Sequence, residues 1–338
     1  MTSRSHKTIW VAAACVVAAI FVLSICLGRY PLSPLQVGKA LVQGLFGQDM
    51  GVSIEAVSIV VGNRLPRALM GALVGASLAA SGCAFQGLFQ NPLVSQGILG
   101  VSSGASFGAA LAILIFSSTL FTPAFAFIFA LLAVWLSYMV ARMCGEVTSL
   151  MLVLGGTIIS AIFTAMLSFL KYVADPYNQL ASIVFWNMGS LASLESSVLP
   201  FGAAAMVVGL LLLIGSSWAL NVLSMGDREA SSLGLPVPKA RIAVISGASL
   251  ATAGAVSIAG TIGWVGLINP HVARFLIGSD NRKLIPFSML LGAAFVMLVD
   301  ILCRSITGSE IPLGILTSLI GGPFFIYLLR RFKGRWWR

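Results

Sequence analysis

Charge is what this sequence has least of. Only 9% of its 338 residues are Asp, Glu, Lys or Arg, and the acids number 10. Soluble domains carry about 25% charged residues, so ten acids and 20 bases cannot cover a water-facing surface of this size. That excludes a soluble enzyme, a disordered protein and an extracellular disulfide scaffold. Histidine is scarce too: His6 and His271 are too few for a His-based metal site. The five cysteines, Cys15, Cys26, Cys83, Cys144 and Cys303, form no CxxC pair, and most lie in apolar runs. They read as small hydrophobes of helix packing. No G-x-x-x-x-G-K-S/T occurs, since Gly38-Lys39 has no suitably spaced glycine before it. The chain therefore has no phosphate-cradling loop of its own. No H-E-x-x-H occurs either, and energy for any transport must come from a partner or an ion gradient.

What is present is apolar. Hydrophobic residues make up 58% of the chain, with a mean hydropathy of +1.01. At about 20 residues per crossing, this fits an all-α polytopic membrane protein with about ten transmembrane helices. The whole chain, 1–338, reads as one transmembrane domain, because no hydrophilic stretch is long enough for a second. The expected spans are 9–28, 62–83, 94–115, 122–142, 149–172, 199–220, 242–260, 266–278, 285–303 and 312–330. The basic start followed by Thr8 to Leu27 resembles a signal peptide, but its apolar run exceeds a signal core of about 7–15 residues. It is expected to be a retained first helix that also directs insertion. Residues 29–60 read as a polar, Gly-containing segment, and 175–197 as a loop with an amphipathic piece around Phe185 and Trp186.

The net charge of +10 reads as topology rather than nucleic-acid binding. With ten spans and both termini cytoplasmic, the outer bases are Arg29, Lys39, Arg64, Arg67, Lys171 and Arg304, and the other fourteen are inside. The cytoplasmic side is where Lys and Arg accumulate. Arg330, Arg331, Lys333, Arg335 and Arg338 form the densest cluster.

Gly71-x-x-x-Gly75, Gly100-x-x-x-Gly104 and Gly104-x-x-x-Gly108 put small residues on one helix face, which lets helices approach closely in lipid. Asp300, inside an apolar span, has Arg304 four residues on, the spacing of a local ion pair. No other acid lies mid-span. An ion-coupled secondary transporter, which needs buried acids, is thus poorly supplied but remains the alternative from another class.

Four segments carry more specific information: Arg64-Leu65-Pro66-Arg67; QGLFQNPLVSQGILGVSSG from Gln86 to Gly104; MGDREASSLGL from Met225 to Leu235; and GWVGLINPHVAR from Gly263 to Arg274. The last is followed by Asp300 to Arg304, Glu310-Ile311-Pro312-Leu313-Gly314 and Gly322-Pro323-Phe324-Phe325. As an ordered set, from about Gly28 to Arg331, they closely resemble the FecCD/BtuC family of ABC importer permeases. Two departures are Gln90, where Arg or Glu is frequent before Asn-Pro, and Asn281, where His is frequent.

The resemblance implies a BtuC-like fold in a bacterial or archaeal cytoplasmic membrane. It also implies a second permease copy or close homologue, two cytoplasmic ATPase subunits that bind the ATP and Mg, and an extracytoplasmic binding protein. No cofactor and no nucleic acid is expected on this chain; lipid surrounds it. An iron–siderophore is the first expected cargo, with haem, cobalamin and molybdate open. The inner loop 221–241 would couple to the ATPase through Gly226, Asp227, Ala230, Leu233 and Gly234. Independently, a short helix from Asp227 to Leu233, stopped by Gly234, Pro236 and Pro238, reads as a rigid knob. Asn91 and Leu93, with Thr148 and Ser149, match the family's cytoplasmic gate, although Thr148 and Ser149 are also ordinary capping residues. Arg64, Arg67 and Arg304 match arginines that dock the binding protein, although lipid headgroups could satisfy each alone.

Overall fold

Capping residues and prolines set where the helices begin. The computed structural model describes residues 3–116, 120–143, 145, 147–192, 199–306 and 309–331. Helix α1 spans Ser3–Cys26. Helix α2, Pro34–Phe46, starts at a capping box: the Ser33 side chain accepts from the Gln36 amide, and the Gln36 side chain accepts from the Ser33 amide. Pro34 adds a pre-set first turn. This helix lies inside the segment expected to be merely polar; its signal, Ser-Pro-Leu-Gln, was in the sequence. Helix α3, Ile54–Val57, is capped by Ser53 and runs through a π-helical stretch, Ser58–Arg64, into α4, Leu65–Leu88. The three form one helical rod of 35 residues, Ile54–Leu88, which begins eight residues before the expected start of the second span.

The remaining helices are α5 Val101–Phe116, α6 Thr122–Met143, α7 Ser149–Val173, α8 Gln179–Asn187, α9 Leu199–Gly215, α10 Ser217–Leu223, α11 Asp227–Ser232, α12 Val237–Ala259, α13 Val265–Ile277, α14 Asn281–Ser305 and α15 Leu313–Arg331. Six helical rods are long and apolar enough to cross a membrane, α9 and α10 form a pair bent by 56°, and α5, α13 and α15 are shorter apolar helices. Among the described residues these ten apolar segments follow the order of the ten expected spans. The multi-pass, all-helical architecture is therefore as expected.

Two further spans differ from the expectation. The sixth bends between Gly215 and Ser217 instead of running straight. The third starts at Val101, not at 94, because Pro92 and the positive φ of Gln90 and Gly100 stop a helix. Residues 89–100 are turns instead. The terminal bases Lys333, Arg335 and Arg338, and Cys144, lie outside the described residues.

The Ile54–Leu88 rod is the central post: 83% of its apolar window is buried, against 11% for α1. It packs chiefly on α14, while α12 packs on α9 and α5 on α6. With no hydrophobic force between helices in lipid, close backbone approach supplies the packing. The backbones meet at Gly75 and Gly292, where a Cβ on Gly75 would lie 2.1 Å from the Gly292 carbonyl oxygen. Gly104 and Gly108 approach the Phe129 and Phe125 carbonyls in the same way. The glycine spacing thus serves packing within the chain.

Gly75→Ala is expected to lower the thermal unfolding midpoint in detergent, at a cost of about 1–3 kcal/mol from overpacking. Gly38→Ala, where a Cβ meets nothing within 4 Å, is the control and should be neutral or stabilising by up to about 1 kcal/mol. Equal behaviour of the two variants would refute the close-approach account.

Candidate functional site

At the expected inner end, three irregular segments converge. The turns after α4 are held from several sides. His271 Nε2 donates to the Pro92 carbonyl at 2.8 Å, and Arg274 donates to Gln86 Oε1 at 3.2 Å. Gln86 Nε2 sits 3.4 Å from the carbonyls of Val94, Gly266 and Leu267. Gln96 Nε2 donates to the Ile262 carbonyl at 3.1 Å. Gln86 and Gln96 are both buried. Side chains thus take up two carbonyls of residues 89–100, Val94 through Gln86 and Pro92 through His271, and Gln86 and Gln96 tie these turns to the segment 262–267. At 13 residues, α13 is about 20 Å long, shorter than a hydrocarbon core of about 30 Å. Non-helical backbone at such depth is tolerated where it is buried in protein or lines a water-filled cavity; here residues 94–100 are buried or half-buried, and Gln90, Asn91 and Leu93 are exposed.

The expected gate residues lie around this loop. Asn91 Oδ1 accepts from the Leu93 amide at 2.9 Å, a local turn that leaves the Leu93 side chain 58% exposed. Thr148 caps α7, accepting from the Met151 amide at 3.3 Å. Ser149 Oγ donates to the Leu88 carbonyl at 3.2 Å. The start of α7 is therefore stitched to the end of α4, and the two expected gate segments adjoin.

The loop 221–241 folds as the sequence implied. Gly226, with φ 120°, turns the chain into α11. The helix closes on a Schellman motif: Leu235 N donates to the Ala230 carbonyl at 3.1 Å and Gly234 N to the Ser231 carbonyl at 2.9 Å. Gly234 has φ +79°, the left-handed region. Ala230 is fully buried as the anchor, while Leu233 is 61% exposed at the tip. Asp227 accepts from Arg241 Nη2 at 2.6 and 2.7 Å, and Arg241 also donates to the Val147 carbonyl. Asn221 Nδ2 donates to Asp280 Oδ1 at 2.6 Å, and that hydrogen bond holds the Asp280 carboxyl below its ordinary range. Sequence reasoning missed Arg241 and Asn221, because a pairing between two loops leaves no trace in local spacing.

The arginines at the outer end need correction. Arg64, Arg67 and Arg304 were expected on a docking surface, yet all three are buried and engaged within the chain. Arg64 donates to the carbonyls of Ile25, Cys26 and Tyr30 where α1 ends. The Arg67 guanidinium forks between two carboxylates, with Nη2 2.8 Å from Asp300 Oδ1 and 2.9 Å from Glu310 Oε2. Arg304 Nη2 donates to the Ser24 carbonyl and hydroxyl at 2.7 and 2.8 Å. Its Nε lies 3.3 Å from Asp300 Oδ2 without the alignment of a hydrogen bond. The local Asp300–Arg304 pair is thus present but is the weaker half of a cluster. The physical reason is desolvation: a buried guanidinium needs carboxylates or carbonyls at once, and this chain supplies them. Burial pushes the Glu310 carboxyl up, and Arg67 more than offsets it, so the group sits below its ordinary range. Of the expected outer arginines, Arg29 is the exposed one.

Three long helices are under-covered, α1, α6 and α7. Only a third of the α7 apolar window is buried, and its exposed side carries Thr157, Thr164, Ser168 and Tyr172 in one stripe beside the exposed Leu154, Ile158, Ile162, Met166 and Phe169. The three smaller hydroxyls donate back to carbonyls one turn earlier, Thr157 to Val153, Thr164 to Ser160 and Ser168 to Thr164. Their lone pairs still face outward. By contrast, the exposed side of α1 from Val11 to Leu23 is apolar throughout. The run Gly100 to Gly104 spells G-x-S-x-G, but that motif acts on a strand-to-helix turn, and here it opens a helix.

Asp300→Ala is expected to cost about 3–5 kcal/mol, because it leaves two buried guanidinium groups without their shared carboxylate. Glu310→Ala, at a side chain 25% exposed, should cost well under half of that. Thermal unfolding in detergent checks the order, and equal losses would contradict the cluster's geometry.

Comparison with known proteins bears on the whole chain. A profile of the FecCD transport family matches residues 16–331. The molybdate import system permease MolB of Haemophilus influenzae is 40% identical over 316 residues, covering 92% of each chain. A protein of Helicobacter pylori named a probable iron chelatin transport system permease is 38% identical over 330 residues, covering 97% of this chain and 99% of its own. A solved structure, an inward-facing conformation of a metal-chelate type ABC transporter, superimposes with a TM-score of 0.86 at 36% identity. It covers 96% of this chain and 99% of that one. With ten apolar segments in the expected order and the family profile running through nearly all of them, this chain belongs to the FecCD transport family, as a multi-pass permease of the ABC importer class.

Proposed function

We propose that the chain passes a metal chelate, an iron–siderophore first, inward across a bacterial or archaeal cytoplasmic membrane. The observation that carries this reading is the exposed hydroxyl stripe on α7. A line of neutral oxygens, with the protons of Thr157, Thr164 and Ser168 already used, offers weak acceptor contacts along which a polar solute can move without being trapped. A second copy of the chain, or a close homologue, completes that wall from the other side. Asn91, Leu93, Thr148 and Ser149 then close its inner end.

The work comes from two ATPase subunits that bind ATP and Mg. They engage the exposed tip of α11 around Leu233 and Gly234, with Gly226, Asp227 and Ala230 fixing its pose. A binding protein delivers cargo to the outer face. There Arg29, rather than the buried Arg64, Arg67 and Arg304, is the cation free to meet a carboxylate. The similarity to the Haemophilus molybdate permease favours molybdate as a second reading of the cargo.

The test is uptake into proteoliposomes holding the chain with its ATPase and binding protein. Radiolabelled iron–siderophore should enter only with ATP, and ionophores should not matter. Gly234→Val, which forces a β-branched residue to positive φ and spoils the helix stop, should cut uptake about tenfold or more while the chain still inserts. Molybdate entering in preference would select the second reading. Uptake driven by an ion gradient without ATP would overturn both.

A further inference from the structure

Arg241 joins two inner loops that sequence analysis treats separately. It sits at the start of the second turn of α12 and is buried, with a 7% exposed side chain. Its Nη2 binds both carboxylate oxygens of Asp227, the first residue of α11, at 2.6 and 2.7 Å. Its Nη1 donates to the Val147 carbonyl, which precedes the Thr148 cap of α7. The next residue, Ser149, donates to the Leu88 carbonyl at the end of α4, three residues before Asn91. A continuous series of polar contacts therefore runs from α11 through Arg241 to the start of α7 and the end of α4.

The chemistry of the joint suits transmission. A guanidinium is a rigid planar fork that holds two acceptors in a fixed relative position; an ammonium is a single point charge. Asp227 is half-exposed and belongs to the helix whose tip stands free, whereas Val147 is half-buried against the core.

We propose that Arg241 is the positioning residue that ties movement of α11 to the gate segments at the α7 and α4 ends. This rests on the permease reading above. When α11 is displaced, Arg241 carries the Val147 carbonyl with it, shifting the Thr148 cap and the Ser149–Leu88 contact. Without the fork, α11 moves and the gate does not follow.

The experiment uses the full complex of the chain with its ATPase and needs no cargo. Native cysteines are replaced, and Leu93→Cys reports gate exposure through its maleimide labelling rate. Rates are compared without nucleotide and after trapping with ATP and vanadate. In the parent complex the two rates should differ by about fivefold or more, a coupling of ordinary size. In Arg241→Lys the ATPase should co-purify and hydrolyse ATP within about twofold of the parent, while the labelling difference shrinks below about twofold. Asp227→Asn keeps one acceptor on the exposed side of the joint and should also shrink the labelling difference, though less, whatever its hydrolysis rate, so the proposal survives a folding failure of the lysine variant. An unchanged labelling difference in either assembled variant would overturn the proposal. So would a loss of hydrolysis and labelling in equal proportion in Arg241→Lys, which marks a merely structural residue. No difference in the parent complex would remove the permease reading itself along with this proposal.

Discussion

A backbone amide that loses water inside a bilayer has to find its partner within the protein. Much of this structure follows from that constraint. Most of the chain meets it by being helical. The exceptions carry the interest: residues 89–100, the turn from Gly260 to Trp264, and the stretch near Gly189 all leave the helix and are repaired individually. Gln86 and His271 repair the first, at the Val94 and Pro92 carbonyls, and Gln96 meets the Ile262 carbonyl in the second. Backbone bonds from Ser190 to Ala259 and from Leu313 to Gly189 repair the others, at 2.8 Å each. These repairs need close approach, which is why glycines such as Gly82 and Gly266 face each other in direct backbone contact.

The same constraint separates the two ends. At the outer end, charge is turned inward: Arg67, Arg304, Asp300 and Glu310 balance one another, and Arg64 is wrapped by carbonyls. That cluster locks α4, α14 and the segment before α15 together. At the inner end hydrogen bonds do most of the linking, as from Asn221 to Asp280, and among the described residues ion pairs are fewer, Arg241 with the half-exposed Asp227. Buried ion pairs that bridge long helices resist movement, because parting them leaves a charge unsolvated. Links between loops that border water can part and re-form. A stiff outer end with a more yielding inner end suits a pathway whose inner gate is worked from the cytoplasmic side.

Much of this was legible in the sequence, for physical reasons. Apolar run length gave the ten segments, and Lys and Arg placement gave a topology in which Arg241, Val147, Asn221 and Asp280 share a side, as their contacts require. The short helix at Asp227 could be read because Gly234 and Pro236 mark its end in any context. The arginines were misplaced because a cation near a span end looks the same whether it faces headgroups or a carboxylate 233 residues away. The α2 helix was overlooked although its capping box was in plain view. The late start of α5 was less accessible, since the positive φ at Gln90 and Gly100 that stops the helix has no marker in the sequence beyond Pro92.

The central claim is that the exposed face of α7 borders water while that of α1 borders lipid. Its most direct measurement compares Thr164→Cys with Val16→Cys in the assembled transporter, using a membrane-impermeant thiol reagent. Thiol chemistry proceeds through the thiolate, which water favours and lipid does not, so Thr164→Cys should react about tenfold faster or more. Equal protection of both positions, or faster reaction at Val16→Cys, would contradict the account.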